Sequence, residues 1–289
     1  MSKSLRVHLL RWPTADAARV GDGDARVYTA SLLAGDAAIQ RAVETLSPAE
    51  RARFESHANA IVARRFAVGR ALLRQMLGAV LGVHADAVQL RDGVHGKPAL
   101  ARGSANKPLW FSVAHCDDLL LVALSRTADV GVDVERTRAI ECWERVADRV
   151  LDPGERAQVD RAVEQGEEAG VVFLRHWCRV EAELKAIGCG IHGLEAHRAG
   201  KRPAGLRIAD LGDLPLPPGL DGLSARYQAA VALCSPGSDS ARQIAPAASQ
   251  HTTPTDTPAR ASTPSWNPPY TVPRVRPAVS VAIATPTRR

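Results

Sequence analysis

The sequence predicts an α+β fold of two associated halves, followed by a disordered C-terminal tail. The chain has 289 residues, of which 45% are hydrophobic, and this suffices to bury one large core or two smaller ones. Helical and strand patterns occur in both portions before Ser235, with few strand-helix-strand alternations. After Ser235 the composition changes abruptly, and residues 236–289 hold ten of the nineteen prolines. Such a segment cannot bury enough apolar surface to offset its ordering entropy.

In the first half, a strand pattern over residues 5–10 precedes two helical patterns. Ser47 as N-cap, Pro48 at the first helical position and Glu50 at the third predict the start of the first helix. The second helical pattern covers residues 61–81, with apolar residues at helical spacing. Arginines in this segment predict a basic face, and they are Arg64, Arg65, Arg70 and Arg74.

Strands are predicted in the middle of the chain. Residues 96–98, Gly-Lys-Pro, have the composition of a turn. Two apolar strands, 109–114 and 119–124, are joined by the short polar turn 115–118. A third strand over residues 130–135 is expected to complete a meander with them.

The second half mixes helices with further strands. Helices are predicted over residues 140–150 and 171–187, and Asp152-Pro153-Gly154-Glu155 predicts the start of a helix between them. Gly188 is expected to end the long helix. Residues 205–234 alternate enough for two or three more strands.

A pair of acidic residues stands out in the strand over residues 130–135. Side chains alternate between the faces of a strand, so Val132 and Val134 can enter a core while Asp133 and Glu135 share the opposite face. Two adjacent carboxylates repel each other, and this arrangement favours a bound cation. The alternative is the solvated face of an ordinary edge strand.

The long helix places Trp177, Glu181 and Lys185 on one face, at positions i, i+4 and i+8. It can therefore bring a third carboxylate and an ammonium to the acidic strand. Three oxygen ligands beside a lysine are typical of a magnesium-phosphate site rather than a zinc site. Glu181 and Lys185 could also be a surface ion pair.

Charge, cysteines and hydropathy limit the other functions. The tail supplies +4 of the formal charge of +6, so the rest is nearly neutral and no nucleic-acid partner is expected. Five cysteines without a Cys-x-x-Cys pair indicate neither a disulfide framework nor a structural zinc site. No apolar run is long enough to span a bilayer and no signal pattern is visible, which predicts a cytoplasmic protein without membrane attachment.

The order of the motifs resembles a known family, the Sfp/Gsp/HetI type of 4'-phosphopantetheinyl transferase. The resemblance covers residues 5–235. The motifs, in chain order, are Arg65-x-x-x-Gly69-Arg70, Gly96-Lys97-Pro98, Phe111-x-x-x-His115, Gly131-Val132-Asp133-Val134-Glu135 and Trp177-x-x-x-Glu181-x-x-x-Lys185-Ala186-x-Gly188.

This resemblance implies a fold and an activity. The two similar α/β halves, expected at residues 1–118 and 119–235, would be related by a pseudo-twofold axis, with residues 236–289 as a separate tail. Coenzyme A and Mg²⁺ would lie in the cleft between the halves. A magnesium-dependent enzyme of the holo-acyl-carrier-protein synthase type would move the 4'-phosphopantetheine arm onto a serine of an apo acyl, peptidyl or aryl carrier protein. One chain, as a monomer, would suffice to build the site.

The resemblance also implies roles for individual residues. Asp133, Glu135 and Glu181 would hold the magnesium and form the catalytic group. The implied coenzyme contacts are Lys97, His115, Lys185, Arg65 and Arg53. Because the incoming serine must lose a proton, a carboxylate beside the metal is a plausible base. Glu181 is the predicted base, and Glu135 or a metal-bound hydroxide are alternatives.

Three positions depart from the family pattern. Ala114 stands where a serine usually precedes the histidine, Val180 replaces a lysine before Glu181, and Glu50 stands where some relatives carry a basic residue. Each predicts weaker coenzyme A binding, and none removes a predicted metal ligand. Two alternatives stay open: a degenerate relative that binds coenzyme A or a carrier protein without transfer, and a magnesium-dependent phosphohydrolase on an unrelated fold.

Overall fold

The computed structural model describes residues 5–15, 20, 25–93, 96–101, 103, 105, 107–221 and 227–235. The helices in these ranges are α1 (Asp36–Glu44), α2 (Pro48–Ser56), α3 (Ala60–Leu81), α4 (Trp143–Val150), α5 (Pro153–Glu164), α6 (Ala169–Ile187) and α7 (Leu194–Arg198). The strands are β1 (Val7–Arg11), β2 (Ala25–Ser31), β3 (Leu90–Asp92), β4 (Pro98–Leu100), β5 (Trp110–Cys116), β6 (Leu119–Ser125), β7 (Asp129–Arg136), β8 (Arg207–Leu211) and β9 (Tyr227–Cys234). This content confirms the α+β class. The predicted disordered tail, 236–289, lies outside the described residues.

The first sheet has four strands in the order β1-β2-β6-β5. β1 and β2 are parallel, and the other neighbours are antiparallel. One face packs against α1 and α3, through side chains that include Val122 of β6 and Leu73 of α3. The other face packs against the second sheet. Every residue of β6 is buried, because this strand has neighbours on both edges and both faces.

The second sheet is antiparallel, with the order β7-β9-β8. Its valines, such as Val132 and Val231, face the first sheet and fill the apolar layer between the two. Helix α6 covers the opposite face of this sheet. Ala230 of β9 and Ala182 of α6 belong to one buried apolar cluster there. Helix α6 therefore lies on the face of β7 to which Asp133 points.

The third strand does not complete a meander, and this prediction was wrong. β7 leaves the β5-β6 hairpin and pairs with β9 in the second sheet. The physical reason is that both edges of β6 are occupied, one by β2 and one by β5. β7 runs beside β5 instead, where the backbone N–H of Val132 donates to Oγ of Ser112 at 3.2 Å. The boundary predicted between residues 118 and 119 falls in the β5-β6 turn and stays a prediction.

The predicted helix starts are confirmed. Ser47 and Asp152 both form reciprocal capping boxes, with Glu50 and Glu155 respectively. The long helix α6 ends at Gly188, which adopts the left-handed conformation at φ 79°. The helix predicted from residue 140 begins at Trp143.

Two features of the first half differ from expectation. β2 and α1 were not predicted, because neither has a strong cap or turn signal at both ends. Arg74 does not belong to a basic face: it is buried, and its guanidinium bonds the carboxylate of Glu50 at 2.7 Å and the carbonyl of Val88 at 2.7 Å. A carboxylate and a carbonyl thus offset the desolvation cost of burying the guanidinium of Arg74.

Gly131 is the point at which α6 crosses β7, and we expect Gly131→Ala to destabilise the fold. A Cβ at this position would collide with the backbone of Ala182 and lie 2.5 Å from the backbone nitrogen of Ala186. Neither backbone atom can move without shifting the helix, so the free energy of unfolding should fall by about 3 kcal/mol or more. Urea unfolding measures this, with Gly212→Ala as the control, because a Cβ there meets nothing within 4 Å. Equal stability of the two variants would contradict the close approach.

Candidate active site

Strand β7 places its apolar and acidic side chains on opposite faces, as predicted. Val132 and Val134 are buried between the sheets, whereas Asp133 faces α6. Asp133 is only 8% exposed, and Glu135 is half-buried. Glu135 has a partner that the sequence analysis missed: its Oε2 lies 3.0 Å from Nη1 of Arg138. The spacing of three residues between opposite charges was the available signal.

Helix α6 brings Lys185 and Glu181 to this strand. Nζ of Lys185 lies 2.6 Å from Oδ1 of Asp133 and 3.8 Å from Oε2 of Glu181. It also lies 3.2 Å from the carbonyl oxygen of Val132. Trp177, two turns earlier, is buried. The structure thus joins a strand carboxylate to a helix carboxylate and an ammonium that follow it about fifty residues later in sequence.

The site holds more negative than positive charge in a buried setting. Burial raises the pKa of Asp133 to about 6, although the ammonium of Lys185 opposes this change. Burial also raises the pKa of Glu135, and the charge of Asp133 adds to the effect. Burial alone would lower the pKa of Lys185, but Asp133 and Glu181 outweigh it and the pKa is raised. An additional cation near these carboxylates would therefore be favourable.

The carboxylate oxygens fit a hard cation. Oδ2 of Asp133 is buried and receives no hydrogen bond from the described residues. The thiol of Cys178 lies nearby and donates to the carbonyl of Gln228 at 3.2 Å. Mg²⁺ prefers oxygen ligands of this kind. The ammonium of Lys185 lies between the carboxylates of Asp133 and Glu181. The ligand oxygens of Asp133, Glu135 and Glu181 do not all lie within 4.8 Å of one another, so a shared ion would have to draw these side chains together.

Lys97 approaches the same region from the Gly-Lys-Pro turn. Its Nζ donates to the carbonyl of Val130 on β7 at 2.9 Å and to the carbonyl of Lys185 on α6 at 2.7 Å. Burial lowers its pKa to about 8, and the carboxylate of Asp129 opposes this only in part. The ammonium is therefore engaged by backbone atoms of the two elements that carry the acidic residues.

His115 and Arg65 come together at the end of β5. His115 is exposed there, and Arg65 of α3 bonds Asp118 in the following turn, with 2.8 Å between Nε and Oδ1. Partial desolvation lowers the pKa of His115, and the charges of Arg65 and Lys185 lower it further. At neutral pH this imidazole is largely uncharged, so it can offer a neutral donor to a ligand.

Arg53 lies on α2, where its guanidinium stacks 5.2 Å from the ring centre of Phe66. Arg70 approaches the same ring at 5.6 Å. Glu50 accepts hydrogen bonds from Arg74 and from the backbone of Ser47. Its carboxylate is therefore part of the α2-α3 packing.

The two apolar departures from the family pattern are buried. Ala114 is 3% exposed and lies in the apolar layer between the sheets. Val180 is fully buried on α6. A polar group at either position would enter an apolar environment, where it needs a partner.

A second charged cluster joins α5, α6 and α7, and the sequence analysis missed it. Among the described residues, only Asp152, Glu155 and His197 bring three ligand atoms within 4.8 Å of one another. His197 lies 3.0 Å from Glu183 through Nδ1 and 2.9 Å from Glu155 through Nε2. Arg202 bonds the carboxylates of Asp152, Glu155 and Glu183 at 2.7 to 3.0 Å. Two cations thus occupy these oxygens, and we interpret the cluster as a structural ion-pair network.

We expect this network to make stability sensitive to alkaline pH. Burial would lower the pKa of His197, but the hydrogen bonds to Glu155 and Glu183 raise it from 6.5 to about 9. Its contribution is therefore complete below pH 6.5 and is lost as the pH rises through about 9. The loss should be on the order of 3 kcal/mol, at about 1.4 kcal/mol per pH unit. Urea unfolding of wild type and His197→Gln at pH 7 and pH 10 measures it; an equal pH effect in both proteins would contradict the assignment.

Two family models match the chain. Residues 129–209 match the 4'-phosphopantetheinyl transferase superfamily, and residues 34–127 match the family described as 4'-phosphopantetheinyl transferase, N-terminal. The first match contains β7 and α6, and the second contains α3 and the β5-β6 hairpin. Every helix in the described part of the chain is too short or too polar to span a bilayer.

Several curated relatives of the chain are named phosphopantetheinyl transferases. The chain is 35% identical over 160 residues to the 4'-phosphopantetheinyl transferase HetI of Nostoc sp., covering 55% of this chain and 65% of the relative. It is 35% identical over 124 residues to the 4'-phosphopantetheinyl transferase AcpT of Escherichia coli, covering 43% and 57%. It is 27% identical over 164 residues to the L-aminoadipate-semialdehyde dehydrogenase-phosphopantetheinyl transferase of Mus musculus, covering 54% and 52%. Each match thus spans less than two thirds of the relative's length.

Proposed function

Because the chain belongs to the 4'-phosphopantetheinyl transferase superfamily, we propose that it transfers the 4'-phosphopantetheine arm of coenzyme A to a serine of an apo carrier protein. The second product is adenosine 3',5'-bisphosphate. The observation that supports this best is the approach of Lys185 to Asp133 at 2.6 Å, since it joins the two family motifs in one buried site. We further propose the holo-acyl-carrier-protein synthase type of activity, with Mg²⁺ required.

The chain's own residues have distinct tasks in this proposal. Asp133, Glu135 and Glu181 would hold Mg²⁺, which supplies charge neutralisation at the pyrophosphate when it is bound. Lys185 donates to a phosphate oxygen from within the same cluster. Its raised pKa keeps it protonated at neutral pH. All of these side chains come from one chain, so a monomer would suffice.

Glu181 is the proposed general base. The serine oxygen forms a bond to the phosphorus that carries the pantetheine arm, while the bond from that same phosphorus to the bridging oxygen of the anhydride breaks. The serine proton passes to the carboxylate of Glu181, and the electron pair of the broken bond leaves with the adenosine bisphosphate. His115, Arg65 and Arg53 are proposed to bind the nucleotide part of coenzyme A. The resemblance assigns Lys97 there too.

The direct test is the mass of the carrier. The full chain is incubated with a panel of apo acyl, peptidyl and aryl carrier proteins, coenzyme A and Mg²⁺, and each carrier is weighed intact. We expect at least one carrier to gain the mass of one phosphopantetheine group, and chelation of Mg²⁺ to prevent the gain. A serine-to-alanine carrier is the control.

A non-catalytic binding module is the second candidate, favoured by the buried apolar residues at positions 114 and 180. The same experiment separates the two. If coenzyme A binds and no carrier gains mass, the transferase proposal fails and the binding module is favoured. Phosphate release without any carrier would instead favour a phosphohydrolase.

A further inference from the structure

Lys97 joins three parts of the chain that are distant in sequence. It lies between Gly96 and Pro98, the first residue of β4. Its ammonium reaches a carbonyl 33 residues away, on Val130 of β7, and another 88 residues away, on Lys185 of α6. Both distances, 2.9 and 2.7 Å, are those of good hydrogen bonds.

The carbonyl of Lys185 belongs to the last turn of α6, which ends at Ile187. Carbonyls in the last turn of a helix lack intrahelical donors, and the C-terminal end of the helix dipole is negative. The half-buried ammonium of Lys97 donates to this carbonyl at 2.7 Å and lies at the negative end of the helix dipole. Lys97 therefore caps α6 from outside the helix with a charged donor.

The second carbonyl that Lys97 bonds belongs to Val130 of β7. Side chains also bond other backbone groups of this strand: the N–H of Val132 donates to Oγ of Ser112, and the N–H of Arg136 donates to Sγ of Cys116. Lys97 bonds β7 one residue before Gly131, where α6 crosses the strand most closely. The ammonium thus ties strand and helix together at their crossing, within three residues of Asp133.

We propose that Lys97 is a positioning residue, which sets the distance between Asp133 on β7 and Glu181 and Lys185 on α6. This inference rests on the proposed function and replaces the coenzyme contact that the resemblance implied for Lys97. Loss of the ammonium releases the end of α6 and displaces Lys185 from Asp133. Catalysis depends on this spacing, whereas binding of the nucleotide end of coenzyme A does not.

The kinetic test compares Lys97→Met with Lys107→Met, which removes an exposed lysine. We expect Lys97→Met to lower kcat about tenfold or more, because misplacement by about 1 Å can cost a hundredfold in rate. The KM should change by less than about threefold, and coenzyme A and dephospho-coenzyme A should be affected alike. An unchanged kcat, or a loss of affinity confined to coenzyme A, would overturn the proposal. If Lys97→Met does not fold, Lys97→Gln replaces it, because glutamine keeps a hydrogen-bond donor. It should also lower kcat with little change in KM, but by a smaller factor.

Hydrogen exchange tests, without turnover, whether Lys97 holds α6 to β7. In Lys97→Met, amide exchange in residues 183–189 should rise about tenfold, while exchange in α5 should match wild type and Lys107→Met. Unchanged amide exchange at the end of α6 would overturn the proposal that Lys97 holds α6 to β7. If wild type transfers nothing, the proposed function fails, and the exchange experiment still decides whether Lys97 holds α6 to β7.

Discussion

Glu181→Gln is expected to lower the transfer rate by about a thousandfold. Glutamine has nearly the same shape, so the packing of α6 is kept while the negative charge is lost. The variant removes the proposed base, and general base catalysis contributes about 10² to 10⁴ in rate. It also removes one of the proposed magnesium ligands, next to the ammonium of Lys185 at 3.8 Å. Single-turnover transfer to an apo carrier, followed by intact mass, measures the effect.

The control for this variant is Glu167→Gln, which changes an exposed glutamate before α6 whose contact is Arg175. It should retain wild-type turnover. If Glu181→Gln also turned over at the wild-type rate, Glu181 would not be the base, and Glu135 would become the candidate carboxylate.

Asp133→Asn is expected to lower transfer about a hundredfold or more, and to raise the Mg²⁺ concentration needed for half-maximal rate. The asparagine keeps the shape of the side chain but loses the charge that pairs with Lys185 at 2.6 Å. Removing one group that stabilises charge in a buried site costs about 10² to 10³ in rate. The measurement is the transfer rate as a function of Mg²⁺, together with Mg²⁺-dependent thermal stabilisation of the protein.

Asp213→Asn is the matched control, since this aspartate is exposed. The thermal measurement needs no carrier, so it separates metal binding from chemistry. If Asp133→Asn were stabilised by Mg²⁺ as strongly as wild type, Asp133 would not be a metal ligand. Full activity with an unchanged Mg²⁺ dependence would remove it from the site altogether.

The motifs of the site were readable because each depends on local periodicity. The two-residue repeat of β7 places Asp133 and Glu135 on one face, and the turn-by-turn spacing of α6 aligns Glu181 with Lys185. Capping boxes at Ser47 and Asp152 were equally visible, since each consists of residues three apart. The roles of the site residues stay proposals that the variants above test.

Local sequence patterns were therefore sufficient to predict the α+β class, most helix starts, and the face on which each acidic residue lies. The contacts between distant segments became visible only in the folded chain: β7 pairs with β9, Arg74 is buried on Glu50, and Lys97 caps α6. In the folded chain, His197 and Arg202 also occupy the carboxylates near α5. The physical reason is range. Periodicity and capping act within a few residues, whereas strand pairing and buried charges depend on groups that meet only after the sheets and helices have packed.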